Sequence, residues 1–447
     1  MDEAHRPDER ARRADGADSA AAARRSVEAV WRIESPRLIA GLMRLVGGDL
    51  GLAEDLAQDA LVAALEQWPV DGVPRNPGAW LTTVAKRRAV DLIRRDQTYA
   101  RKLEQLGRDL EIAGEREPGP EQALDAPDIE DDLLRLVFTA CHPVLPAQAR
   151  VALTLRLLGG LTTAEIARAY LVPEPTIAQR IVRAKRTLAE QRVPFEVPSG
   201  PELADRLASA LEVIYLIFNE GYSATAGDDW MRPALCDDAV RLARVLSGLM
   251  PREPEVHALT ALLEIQSSRL ASRTAADGGV VLLSDQDRGG WNQMFIRRGF
   301  AALAIAENLS SAAGRKSGPY ALQAAIAACH ASALTPDETD WPTIAGLYTA
   351  LVAQLPTPVV ALNRAVAVSM AQGPDAGLAL VDELVAADAL PNYHLLPAVR
   401  GDLLMRLGRF AEAHTDLARA AELAGNGAER ALLEQRAAEA RLAAIEG

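Results

Sequence analysis

The segment LTTAEIARAYLVPEPTIAQRIVRAKRTL, which begins at Leu161, admits few folds. Thr162 and Glu165 have the spacing of a T-x-x-E capping box, in which each side chain satisfies a backbone N–H at a helix start. The helix so begun is expected to run to about Tyr170. Pro173 and Pro175 cannot continue it, because proline lacks the N–H and clashes with the preceding turn. Pro175 instead suits the first turn of a new helix. In that second helix Ile177, Ile181, Ala184 and Leu188 recur on one stripe, which is the face to bury. Thr176, Gln179, Arg183 and Arg186 lie opposite, flanked by Arg180 and Lys185. The spacing predicts a helix-turn-helix with a polar, cationic outer face.

Such a helix can enter a DNA major groove, where Gln and Arg contact base edges and flanking cations hold phosphates. The same face on an ordinary helical hairpin would simply be solvated. Composition bears on the choice, since the 447-residue chain carries a net charge of −13. A cationic helix is therefore a local concentration of charge and not a reflection of the whole. With 49% hydrophobic residues the chain can bury real cores, and its abundance of alanine and leucine predicts an all-α fold. No apolar run approaches the length of a membrane span. The start, MDEAHRPDERARRADGADSAAAARR, lacks the apolar stretch of a secretory signal and is expected to be a disordered tail. Cys141, Cys236 and Cys329 are odd in number and widely spaced, which fits a reducing cytoplasm and no structural zinc. His142 beside Cys141 is too little for a metal site. No cofactor is expected.

A second basic helix lies upstream. In GGDLGLAEDLAQDALVAALEQW, Leu52, Leu56, Ala60 and Ala63 point inward while Asp55, Gln58 and Asp59 point out. A Pro/Gly-rich loop from Trp68 to Gly78 follows, then a helix carrying Lys86, Arg87, Arg88, Asp91, Arg94 and Arg95. The pieces AEDLAQDALVAAL, PGAWLTTVAKRRAVDLIRR and the helix-turn-helix, in that order, resemble the extracytoplasmic-function (ECF) class of bacterial RNA polymerase sigma factors, over about residues 25 to 192.

The resemblance implies roles. Asp55, Gln58 and Asp59 would dock on the β′ clamp of core RNA polymerase, although an acidic helix face can equally be only solvated. The loop and basic helix would handle the promoter −10 element, where family members capture a flipped base, through Asn76, Lys86, Arg87, Arg88, Asp91, Arg94 and Arg95. Asn76 is also an ordinary turn former. Trp68 and Trp80 could stack on bases, but a tryptophan at a helix edge more often packs a core. Thr176, Gln179, Arg180, Arg183, Lys185 and Arg186 would read the −35 element, with this domain near the polymerase β flap. Acidic residues elsewhere would discourage indiscriminate DNA binding.

A minimal sigma factor of this class would end near Arg192, whereas this chain continues for over half its length. EREPGPEQALDAPDIEDD reads as an extended linker, and VPFEVPSGP marks a boundary. The segments IFNEGYSA and LLSDQDRGGW resemble those of a subgroup with a large helical extension. Farther on, Gly401, Leu404, Gly408, Phe410, Ala413, Leu417 and Ala420 follow a tetratricopeptide-like pattern, echoed by Ala365, Val368, Gly377 and Val381 near the usual period of about 34 residues. YALQAAIAACHASA can be an earlier unit. Such arrays bind proteins or peptides.

The expected organisation is a tail at 1–24, sigma region 2 at 25–97, a linker at 98–127, region 4 at 128–193, a helical domain at 194–290 and helical repeats at 291–447. The extension would regulate the sigma half in cis, add contacts to polymerase or bind a further protein. Asn219, Glu220 and Tyr222, with Asp287, Arg288 and Trp291, are its regulatory candidates. They could also line an enzyme pocket, but no nucleophile–base pair, metal-ligand set or phosphate loop accompanies them, and capping or tertiary hydrogen bonding is the plainer reading. A helix-turn-helix regulator with a repeat-based sensor would account for the repeats but not for the pattern at Leu50 to Gln97.

Overall fold

Prolines set many of the helix starts. The computed structural model describes residues 8–107, 129–224, 230–275 and 279–446. Among them are eighteen α-helices and no β-strand, and seven of the helices open on a proline, whose fixed φ and missing N–H suit that position. The helices form two compact units, residues 1–213 and 214–447.

In the first unit, α1 (Asp8–Leu45), α2 (Leu50–Asp71) and α3 (Pro77–Gly107) pack on one another. Leu38, Ile39, Leu42 and Met43 of α1, Leu56, Ala57 and Ala60 of α2, and Leu81, Ala85 and Ala89 of α3 are buried. α1 is helical from Asp8 on, inside the segment expected to be a disordered tail; the alanine-rich run ADSAAAARR favours helix. α3 likewise continues to Gly107, past the expected domain end at 97. The rest of the expected linker, residues 108–127, lies outside the described residues.

α4 (Ile129–Ala140), α5 (Ala147–Leu157), α6 (Thr163–Ala169) and α7 (Glu174–Glu190) follow, and α4 packs against α1. α8 (Pro201–Tyr222) contributes its first half to this unit. Arg206, 4% exposed, donates to the Phe138 carbonyl, and Ser209 donates to that of Cys141. Arg150 donates to Ser209 and pairs with Glu212 at 2.9 Å. The division between units thus falls inside α8 and not at the Pro-rich segment, because these buried contacts build residues 201–213 into the core of α4 and α5.

The second unit holds the remainder of α8, then α9 (Pro233–Leu249), α10 (Pro254–Ser267), α11 (Gln293–Ala312) and α12 (Pro319–Ser332). α10 is the central helix and packs on α9, α11 and α12. From α13 (Trp341–Gln354) through α14 (Pro358–Gln372), α15 (Pro374–Ala386), α16 (Leu395–Arg406), α17 (Phe410–Leu423) and α18 (Gly427–Glu446), each helix packs on the next. The small residues of the repeated pattern sit at the crossings. A Cβ on Gly401 would lie 2.7 Å from Leu417, and one on Gly377 would strike Ser369. Ala365, Val381, Leu404, Ala413, Leu417 and Ala420 are all fully buried, and Gly408 supplies the positive φ of +74° that turns α16 into α17.

Candidate nucleic-acid and polymerase interface

The helix-turn-helix forms as its residues dictate. Thr162 Oγ1 accepts from the Glu165 N–H at 3.1 Å, and Glu165 accepts from the Thr162 N–H at 2.8 Å, closing the capping box. Arg32 of α1 pairs with the same carboxylate at 2.6 Å. Ile177, Ile181, Ala184 and Leu188 of α7 are buried. That leaves Gln179, Arg183 and Arg186 exposed, with Thr176, Arg180 and Lys185 half-buried at the flanks. Arg186 pairs along the helix with Glu190.

On α2, Asp55 and Asp59 are exposed and Gln58 is half-buried. On α3, Arg87, Asp91, Arg94 and Arg95 are exposed, with Lys86 and Arg88 partly covered. Arg88 pairs with Asp59 at 2.9 Å, so a residue expected to meet polymerase and one expected to meet DNA hold each other here. Asn76 caps α3, its Oδ1 accepting from the Ala79 N–H at 3.1 Å. Trp68 is buried, 3% exposed, with the Trp80 ring edge-on at 5.4 Å. Trp68 is a core residue and no stacking platform, while Trp80 is partly exposed.

The main feature missed from sequence is a buried ion triad. Glu54 of α2 has a side chain only 5% exposed; it accepts from Arg156 of α5 at 2.9 Å and pairs with Lys185 of α7 at 2.5 Å. Gln58 donates to the same carboxylate at 3.0 Å. Burial alone would raise the carboxyl's pKa, but Lys185 and Arg156 outweigh it and hold it below the usual range. The triad ties the candidate recognition helix to the candidate polymerase-binding helix. A signal existed, because Glu54 shares the inward stripe of Leu50, Ala57 and Ala64, where a carboxylate must find a partner.

Near Cys141 the chemistry is structural. Burial pushes the thiol up to about 11, and Sγ lies 3.3 Å from Thr154 Oγ1. His142 Nδ1 accepts from the Val144 N–H, and burial with Arg206 nearby lowers its pKa to about 4.

In the second unit the two polar-aromatic segments are assigned mainly to tertiary bonding. Glu220 pairs with Arg232, and Tyr222 stacks on Phe218 at 5.5 Å. The Arg273 guanidinium lies over the Tyr222 ring at 3.5 Å and the Trp230 ring at 4.4 Å. Asn219 is exposed. Asp287 caps a short turn through the Gly289 N–H, and Arg288 donates to the carbonyls of His330 and Ala333 and to Thr339. Trp291 is buried beneath Arg288. The contributions of Arg269 and Arg273 carried no local signal, since only tertiary packing brings them to the Tyr222 ring.

Comparison with known proteins accords with this geometry. Residues 33–99 match the model for Sigma-70 region 2 and residues 135–188 that for Sigma-70, region 4. Residues 206–307 match a family of unknown function, DUF6596. An uncharacterized protein of Rhizobium meliloti is 45% identical over 399 residues, covering 89% of this chain and 92% of the relative. The ECF RNA polymerase sigma factor SigK of Mycobacterium tuberculosis is 31% identical over 155 residues, covering 33% of this chain and 76% of SigK. SigK of Mycobacterium ulcerans is 30% identical over 152 residues, with the same coverage. No solved structure matches. Two sigma domains in order, a capped helix-turn-helix with its polar face outward and the coverage of SigK lead to one conclusion: the chain belongs to the ECF family of RNA polymerase sigma factors, non-enzymatic initiation factors, and carries a long helical extension after region 4.

Proposed function

We propose that this sigma factor binds core polymerase through the α2 face of Asp55, Gln58 and Asp59, engages the −10 element through α3 and reads the −35 element through Gln179, Arg183 and Arg186 of α7. The observation that carries the reading is the division of α7 into a fully buried apolar stripe and an exposed polar-cationic face. A helix so divided keeps its fold while offering side chains to base edges. Thr176, Arg180 and Lys185 flank that face and suit phosphate contacts. Lys185 and Gln58 are engaged by Glu54 in the structure described here, so their promoter and polymerase roles require that this carboxylate release them.

The extension acts in cis in this proposal, with the α13–α18 array as a tetratricopeptide-like surface for a peptide or protein. Its support is the start of α8, whose Arg206 and Ser209 are bonded into the region 4 core. The extension therefore begins on an element that region 4 needs for its own packing. The test is promoter-dependent run-off transcription with a chain ended after Tyr222, compared with the full chain. A cut at 194 would be a poor test, since it uncovers Arg150 and the carbonyls of Phe138 and Cys141. Altered transcription supports regulation in cis; equal transcription from both chains refutes it.

A further inference from the structure

The outward side of α7 carries an apolar row beside its polar one. Gln179, Arg183 and Arg186 are exposed there, and so are Pro175, Ala178 and Val182. The spacing of these last three, i, i+3 and i+7, sets them in one line along the helix. Val182 is 63% exposed. It follows Gln179 by three residues and precedes Arg186 by four, so it neighbours both on the helix surface.

A single surface valine is ordinary, and the place of this one sets it apart. A β-branched residue is a poorer helix former than alanine, and Val182 gains little burial in return. It stands among side chains suited to polar base edges, on the one helix whose other face is wholly committed to the region 4 core. Ala178 and Pro175 before it are short, so this side of α7 can lie close to the floor of a groove. Close approach is what a side chain as short as valine needs to reach a base.

The major groove presents mostly hydrogen-bond donors and acceptors, and its one apolar group is the thymine C5-methyl. A glutamine suits the adenine edge of an A·T pair, which places a thymine methyl within reach of the residue one turn on. We propose that Val182 reads a thymine of the −35 element through its C5-methyl group, in or next to an A·T pair contacted by Gln179, an inference that rests on the −35 role proposed for α7.

The test uses holoenzyme assembled from the full-length chain and core polymerase. Its −35 element is selected from a pool of randomised duplexes. Each thymine of that element is then replaced singly by deoxyuridine, which lacks only the C5-methyl. At one thymine the replacement should weaken binding by about fourfold, the worth of one buried methyl-sized group. Val182→Ala should erase that difference and Val182→Ile should keep it. Both variants should fold, because the side chain is exposed and alanine favours helix. Equal binding of thymine and deoxyuridine duplexes at every position overturns the proposal. So does a selected element without thymine on either strand, or an undiminished difference in Val182→Ala. If Val182→Ala weakens assembly with core polymerase and leaves the thymine difference intact, the row is a protein contact and the proposal falls. Gln179→Ala and Arg183→Ala on the same duplexes separate the two readings. If they weaken binding while deoxyuridine has no effect, only the Val182 contact is wrong. If they have no effect either, or no preferred element emerges, the −35 role of α7 falls with it.

Discussion

Replacing Glu54 by glutamine removes one charge from the buried triad while keeping its volume and its hydrogen bond with Gln58. Arg156 and Lys185 then face each other without a counter-ion. Removing one partner of a buried ion pair costs about 3–5 kcal/mol. The two cations here are 20% and 23% exposed, so water relieves part of that cost, and a loss of about 2–3 kcal/mol is expected. A chain of two units need not unfold in one step, which makes a global midpoint a blunt probe. Amide hydrogen exchange resolves the helices individually: protection in α2 and α7 should fall by about 30- to 150-fold, the equivalent of that loss, while α14 to α17 stay unchanged. The pH dependence has a definite sign. The Glu54 carboxyl is depressed in the folded chain, so its contribution is complete above the ordinary carboxylate value of the unfolded chain and is lost as pH falls through the lower folded value. Glu54→Gln should lack that acid-dependent step. Unchanged protection of α2 and α7 in the variant would refute the triad as the tie between these helices.

Arg183→Ala and Gln179→Ala should each weaken binding to a −35 element by about 1–3 kcal/mol in a promoter-variant binding assay, with unaltered circular dichroism because both side chains are exposed. Asp55→Arg combined with Asp59→Arg should abolish co-elution with core polymerase; loss of the exposed Asp59–Arg88 pair should cost under about 1 kcal/mol of stability. Gly401→Val places side-chain atoms against Leu417 and should lower stability by about 1–3 kcal/mol in thermal unfolding of the full chain.

Much of the fold follows from local rules. The capping box at Thr162, the proline starts and the apolar stripe of α7 are set by residues within one or two turns of each other, so sequence determines them directly. Gly377 and Gly401 are legible for the same reason, because a repeat places its small residues where helices cross. The unit boundary was less legible. VPFEVPSGP interrupts helix as expected, yet Arg206 and Ser209 beyond it reach back to the carbonyls of Phe138 and Cys141, and long-range hydrogen bonds leave no periodic mark. The outward face of α7 was read from spacing, but the attachment of Lys185 to Glu54 depends on how α2 and α7 pack. Trp68 went to the core because a large ring next to a helix bundle gains more from burial than from solvent.

Run-off transcription with the purified chain and core polymerase alone, on genomic fragments, tests the central claim most directly. A transcript of defined start, dependent on this chain and needing no other sigma factor, is the predicted result. Transcription that appears only when a second sigma factor is added would contradict it and leave the chain as a DNA-binding regulator.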